Sequence, residues 1–229
     1  MEKNWHQHFV KVISHGLFLG LIFLFSSCTP KPHNDCGFLQ DVYGNRISWK
    51  DKYPVTLYIH KSVPKELRPA IYRAAATWEN IIGRKVLDIS DDSTKLSSEP
   101  SRDGKNGIYF LSNWESDRLS EQGRTSVLWA GDEIQEADIR LNHFKYSFYD
   151  SVPDQVVSSI AAQSRAYGEP NVAYSFEALM LHEMGHFLGL KHRDNSGKNS
   201  GTVMTTQLAA FSNRTALAES DRESIRCEY

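Results

Sequence analysis

The stretch LMLHEMGHFLGLKH, residues 179–192, decides how the rest of the chain is read. Two interpretations compete: a buried amphipathic helix that carries histidines by accident, and a metal site built on a helix. On a helix, residues four apart share a face, so His182 and His186 present their imidazoles to one point. Zinc takes a small tetrahedral set of N, S or O ligands, and two histidines fall short of it. The third must come from beyond the helix. Gly189 permits the left-handed turn that ends a helix, and His192 follows closely enough to swing back. Glu183, beside the first histidine, reaches a water at the metal rather than the metal, and suits a general base that later acts as acid. In a chain with 9 His and 14 Gly among 229 residues, the five fixed positions coincide by chance in about 5 of 100,000 cases, which sets the accidental reading aside. Leu179, Met180, Leu181, Met184, Phe187 and Leu188 read as core packing around the helix.

Around this helix the pattern is mixed α and β. VTLYI, residues 55–59, is a strand by its β-branched and aromatic content. Residues 64–83 read as a helix, with Ile71, Ala74, Ala75, Trp78, Ile81 and Ile82 at helical spacing, Pro69 near its regular start and Gly83 closing it. Further strands are expected at residues 85–89, 107–111, 125–130 and 137–144, with a turn at Gly131-Asp132. The last of these alternates Ile139 and Leu141 with Asp138, Arg140 and Asn142, the pattern of a half-buried or edge strand. Residues 37–50 form an irregular lead-in or a small hairpin around Gly44-Asn45, and residues 90–107 a polar surface loop. Val156, Val157 and Ile160 share one face of a short helix. Ser175 is the expected N-cap of the histidine helix, with Tyr174 stapled to Leu179, and SDRE at Ser220 opens a final short helix through a capping box.

The bulk composition, 40% hydrophobic and 24% charged with a net charge of -2, is that of an ordinary globular protein and points away from nucleic acid. The first residues differ. Lys3 and Lys11 precede the apolar run GLFLGLIFLF and then SSC, the plan of a secretory signal too short for a comfortable membrane span. LFSSC resembles a bacterial lipoprotein signal with Cys28 as the lipidated first residue, although Phe25 stands where Leu is usual; an ordinary cleaved signal or an uncleaved anchor is the alternative. Expected divisions are residues 1–27 as signal peptide, 28–50 as tether and lead-in, and 51–229 as catalytic domain. The expected location is the bacterial cell envelope, lipid-anchored, at the outer membrane or surface rather than the inner membrane, and otherwise secreted. Cys36 and Cys227 remain. In an exported chain they can form a disulfide that ties the two ends together. The alternatives are two free thiols, or Cys36 as a cap on a metal, a role for which the short sequence after Cys28 leaves no folded pro-domain.

HEMGHFLGLKH matches H-E-x-x-H-x-x-G-x-x-H, the signature of the metzincin metalloproteases, and within them the chain resembles the matrixin group from Val55 onward. The resemblance implies an α/β (α+β) domain: a twisted mixed sheet with an antiparallel edge strand, a backing helix, an active-site helix and a small C-terminal subdomain. Residues 137–144 are matched to the edge strand, along which a peptide adds by β-augmentation. It implies one catalytic Zn2+ held by His182, His186 and His192, Met204 in a Met-turn beneath it, and Glu183 as catalytic base on the metal's water. It also implies a protein or peptide substrate, with an S1′ pocket between the histidine helix and residues 205–208, and a monomer is expected. Departures are Arg193 where matrixins carry Ser, Thr206 where relatives of the astacin type carry Tyr, and no His-x-Asp run for a second, structural zinc. His33, His60 and His143 read as surface or hydrogen-bonded histidines. Asp91, Asp92 and Asp103 offer a possible Ca2+ site that nothing else in the sequence supports. The competing function is a catalytically silent envelope lipoprotein that uses the same fold for binding or structure.

Overall fold

The computed structural model describes residues 34–150 and 173–229. Its frame is a five-stranded sheet of β1 (Val55–Ile59), β2 (Leu87–Ser90), β3 (Gly107–Leu111), β4 (Gly123–Ala130) and β5 (Glu133–Asn142), in the order β2-β1-β3-β5-β4. β1 runs parallel to β2 and β3, and β3 parallel to β5, while β4 folds back antiparallel on β5 through the turn at Gly131. Helix α1 (Arg68–Ile82) carries the chain from β1 to β2, the kind of crossover that parallel neighbours require. A single 3-10 turn, Lys65–Leu67, precedes α1; Pro69 sits where the first-turn N–H needs no partner, and Gly83 stops the helix in the left-handed region.

α1 buries Ala70, Ile71, Ala74, Ala75 and Trp78. The three alanines leave room for a second helix, α2 (Phe176–Phe187), to lie against it. Two indoles lock α2 in place. Trp78 Nε1 donates to the Leu181 carbonyl at 3.0 Å, and Trp49 Nε1 donates to the Phe187 carbonyl at 2.8 Å. The second bond satisfies one of the carbonyls that every helix leaves open in its last turn. α2 is apolar almost all round, with Phe176, Leu179, Met180, Leu181, Met184 and Phe187 buried, as befits a helix enclosed by the core. A short parallel pair, β6 (Ser147–Tyr149) and β7 (Ala173–Ser175), delivers the chain to α2, and α3 (Glu219–Arg226) closes the domain.

The mixed α/β architecture follows the sequence reading, but some details are corrected. The edge strand is β4, not residues 137–144. β5 lies inside the sheet, and its alternating polar residues face covering loops instead of water. Asp138 accepts from the Gly107 N–H at 2.8 Å, and Asn142 donates to the Glu121 carbonyl at 2.7 Å. β5 begins at Glu133, β4 at Gly123 and β2 only at Leu87. α3 is capped two residues earlier than the SDRE reading: Ala218 is the N-cap, Ser220 lies inside the helix, and Asp221 reaches back to the Ala218 N–H at 2.9 Å. Tyr174 packs edge-on to Tyr146, ring centroids 5.3 Å apart. The bend at Gly44-Asn45 does form a small hairpin, with Gln40 bridged to Arg46. Val156, Val157, Ile160, His33, Cys28 and the signal segment lie outside the described residues. Among the described residues no helix is long and apolar enough to cross a membrane.

Candidate active site and metal centre

α2 starts where the Ser175 side chain accepts the Ala178 N–H at 3.3 Å, the expected cap. Its last turn closes with Leu188 bonded back to Met184 and Gly189 to His186. The chain then reverses at Gly189, φ 103°. A side chain there would strike the Ile47 carbonyl oxygen at 2.2 Å, so the position needs glycine for space as well as for conformation. The lead-in segment pairs with the outgoing chain: Leu39 N–H bonds to Gly189 O, and Lys191 N–H to Gly37 O. This pairing aims His192 back at the helix.

The three histidines converge. Nε2 of His186 lies 3.1 Å from Nε2 of both His182 and His192, and the third edge is 3.3 Å. Nδ1 of His182 sits 2.7 Å from the Val203 carbonyl, and Nδ1 of His186 sits 2.7 Å from the Leu190 carbonyl. A carbonyl only accepts, so each Nδ1 carries the hydrogen and each Nε2 is left with a lone pair. Burial, reinforced for His182 by its two fellow histidines, holds both rings neutral; His182 is pushed down to about 3 and His186 to about 4. Neutral imidazoles with converging lone pairs repel unless a cation lies between them. Zn–N bonds of about 2.0–2.1 Å in a tetrahedron place ligand nitrogens about 3.3 Å apart, close to what this triangle provides. The donor set therefore fits zinc, and among the described residues it is the one His/Cys/Asp/Glu cluster able to hold a metal ion.

Glu183 is only 2% exposed. Its Oε2 accepts from the Thr125 hydroxyl at 2.7 Å, and its Oε1 lies against Gly123, where an added Cβ would come within 2.6 Å. Burial is the main force on this carboxyl and lifts it to about 7, against the opposing pull of the Thr125 hydrogen bond. Gly123 and Thr125 escaped the sequence reading. Their signal was the period of two along β4, which puts Gly123, Thr125 and Val127 on the same face. All three line a cavity of about 340 Å³ beside the histidines, together with Leu179, Val203 and Leu208. Thr205, Thr206 and Leu208 border it from the segment after Met204, and so does Arg214, which the sequence reading also missed.

Met204 is 1% exposed, with its sulfur against Gly185, the helix residue just before His186; a Cβ at Gly185 would fall 2.3 Å from Sδ. The fully buried Asp221 of α3 organises this turn. It accepts from the Thr202 hydroxyl and from the Val203 N–H at 3.0 Å, and so fixes the residue whose carbonyl orients His182. Arg193, the unusual residue after the third histidine, donates its N–H to Met204 O at 2.8 Å and its guanidinium to Asn199 at 3.1 Å. The same guanidinium fills the space over Gly37. Cys36 and Cys227 form a disulfide, Cα–Cα 6.3 Å, beside Glu228, whose carboxylate receives Arg46, Ser48 and Lys50. That bond leaves Cys36 no part as a metal cap.

Other candidates lie apart. Asp91 pairs with Arg68 and Tyr72, Asp92 caps a turn through Thr94, and Asp103 accepts from the Lys105 N–H, so the three acids serve separate local bonds. Nothing in the structure supports Ca2+ there. His60 is buried and bonded to Ser62, and His143 stacks on Phe110 at 4.4 Å.

A three-histidine metal centre beside a buried carboxylate, set under the antiparallel edge of a mixed sheet, is the arrangement of a zinc-dependent peptidase. The chain belongs to the matrixin family of peptidases, whose family model matches residues 48–229. No curated protein matches the chain. The family implies zinc, and it implies protein or peptide substrates.

Proposed function

We propose that the protein is an exported zinc endopeptidase that cuts peptide chains laid along the edge of β4. The observation that carries this reading is the meeting of the three Nε2 atoms with the buried Glu183 at the wall of one cavity. His182, His186 and His192 would hold the metal, with the Val203 and Leu190 carbonyls keeping two of the rings in the ligating tautomer. When bound, zinc supplies Lewis acidity, polarising the scissile carbonyl and lowering the pKa of a water to near 7. Glu183 takes the proton from the attacking water and returns it to the leaving amine. A carboxyl lifted to about 7 suits both halves of that transfer near neutral pH. Thr125 holds the carboxylate by one oxygen, and Gly123 lets the strand pass close enough to cover the other. β4 ends the sheet, so an extended peptide can pair with it. One side chain of that peptide would enter the cavity bounded by α2 and the segment after Met204.

Export and a lipid anchor on Cys28 belong to the same proposal. Their support is the basic, apolar and small-residue order of the first residues, and a disulfide of the kind that persists in oxidising compartments. Mass spectrometry of the mature protein tests the anchor: a lipidated Cys28 is expected, and an unmodified new N-terminus elsewhere refutes it. The peptidase reading is tested on unfolded casein. Cleavage is expected with the purified protein, lost with a zinc chelator and restored by added zinc. Absence of hydrolysis at full zinc occupancy would favour the silent binding module instead.

A further inference from the structure

Among the described residues, one cation lining the cavity beside the histidines has no carboxylate partner. Of the other charged residues in the wall, Glu121 and Arg124 pair with each other, Lys191 pairs with Asp35, and Glu183 accepts from Thr125. Arg214 differs. Its Nη1 donates to the Thr202 carbonyl at 3.0 Å and to the Thr205 hydroxyl at 3.4 Å, both neutral. Among the described residues no carboxylate lies within ion-pair distance of it. A guanidinium carries five N–H donors in a rigid fork, and these bonds engage one of its nitrogens. Arg214 as a residue is half-buried and lines a cavity whose other lining includes Leu179, Val203 and Leu208. A charge with apolar walls acts more strongly than one in open water, and a guanidinium matches a carboxylate two bonds at a time.

We infer that Arg214 makes this cavity a receptor for a substrate carboxylate, so that the protein selects acidic peptides. The inference rests on the peptidase reading for the position of the cut, but the recognition it describes is a property of the cavity alone. The carboxylate can come from an Asp or Glu side chain within the peptide, or from a free C-terminus. The competing account is that Arg214 only staples the loop under the histidines through Thr202. A staple would weaken all substrates alike, whereas a carboxylate receptor discriminates between substrates of equal shape. Glu against Gln is such a pair.

The test uses fluorogenic peptides that differ only by Glu or Gln at one position, scanned through the sequence, each made with a free and an amidated C-terminus. In the full-length zinc-loaded protein, kcat/KM should favour Glu over Gln about tenfold or more at one position on the C-terminal side of the cut. A preference that appears only with the free C-terminus supports the same receptor and assigns the carboxylate to the chain end. The ratio should collapse toward one in Arg214→Gln, survive in part in Arg214→Lys, and turn in favour of Lys peptides in Arg214→Glu. A wild-type ratio below about two at every position, with either terminus, overturns the inference and leaves the peptidase reading standing. An unchanged ratio in Arg214→Gln overturns it too. Fluorescence anisotropy of the same labelled peptides on zinc-loaded wild type gives the binding ratio without turnover. A protein that cleaves nothing would sink the peptidase reading, while its Glu-to-Gln binding ratio would still decide the role of Arg214. Arg214→Met, with the same expected collapse of the ratio, serves if Arg214→Gln does not fold.

Discussion

Replacing Gly189 by alanine should unfold the site from a distance. The added Cβ would lie 2.2 Å from the Ile47 carbonyl oxygen and 3.1 Å from Cδ1 of Phe38. The first of these is backbone and cannot rotate away. Holding an L-residue in the left-handed region costs about 1–2 kcal/mol, and forcing packed groups apart about 1–3 kcal/mol more. If the turn shifts to relieve the clash, the bond from Leu39 N–H to Gly189 O is lost, a further contribution of about 1 kcal/mol. A total of about 3–6 kcal/mol in a domain of this size lowers Tm by roughly 10–20 °C. The measurement is thermal unfolding by circular dichroism with a chelator present, so that metal binding does not contribute to the difference. Zinc affinity, read by competition with a chelating dye, should fall at least tenfold, since His192 depends on that turn for its position. A Tm within about 2 °C of wild type, together with unchanged affinity, would refute the reasoning about both the turn and the histidine.

Other outcomes follow from the same structure. His192→Ala leaves two histidine ligands, so zinc content by elemental analysis should drop sharply; full occupancy would reject it as the third ligand. Breaking the Cys36–Cys227 bond, whose sequence separation is 191, removes a long-loop constraint worth up to about 5 kcal/mol on the chain-entropy account, and urea melts of Cys36→Ser with Cys227→Ser should show most of that loss. Equal stability of the double variant would show that the bond does not constrain the unfolded chain in this way. Asp138 is lifted by burial from 3.8 to about 7, so the folded chain keeps a proton that the unfolded chain releases between those values. Its contribution to stability therefore falls as pH rises through that window. Asp138→Asn, which keeps an acceptor for the Gly107 N–H, should match wild type near pH 4 and exceed it near pH 8 by up to about 4 kcal/mol. A variant no more stable than wild type near pH 8 would contradict the assignment.

The metal centre was legible because its geometry is local. Four-residue spacing on one helix and a glycine before a third histidine are statements about neighbouring residues. The fold class was legible for a similar reason, since each strand and helix announces its own period. What lay hidden depends on distant partners. The alternation in β5 misled because it records two different faces without saying what covers them; Asp138 and Asn142 face loops, so polar residues did not mark a solvent edge. Gly185 looks like a spacer until Met204 is packed against it, and Ser220 looks like a cap until Asp221 is seen serving Ala218, Val203 and Thr202 at once. Arg214 carries no local signal at all. It reaches the cavity from the loop between the Met204 turn and α3, far in sequence from β4 on the opposite wall.

The most direct measurement is casein hydrolysis by Glu183→Ala, with zinc content determined on the same sample. The carboxylate is buried beside the trio without belonging to it, so its removal should cut the rate by about 100-fold to 10,000-fold while zinc stays bound. Hydrolysis at the wild-type rate with zinc retained would contradict the assignment of Glu183, and with it the chemistry read from this site.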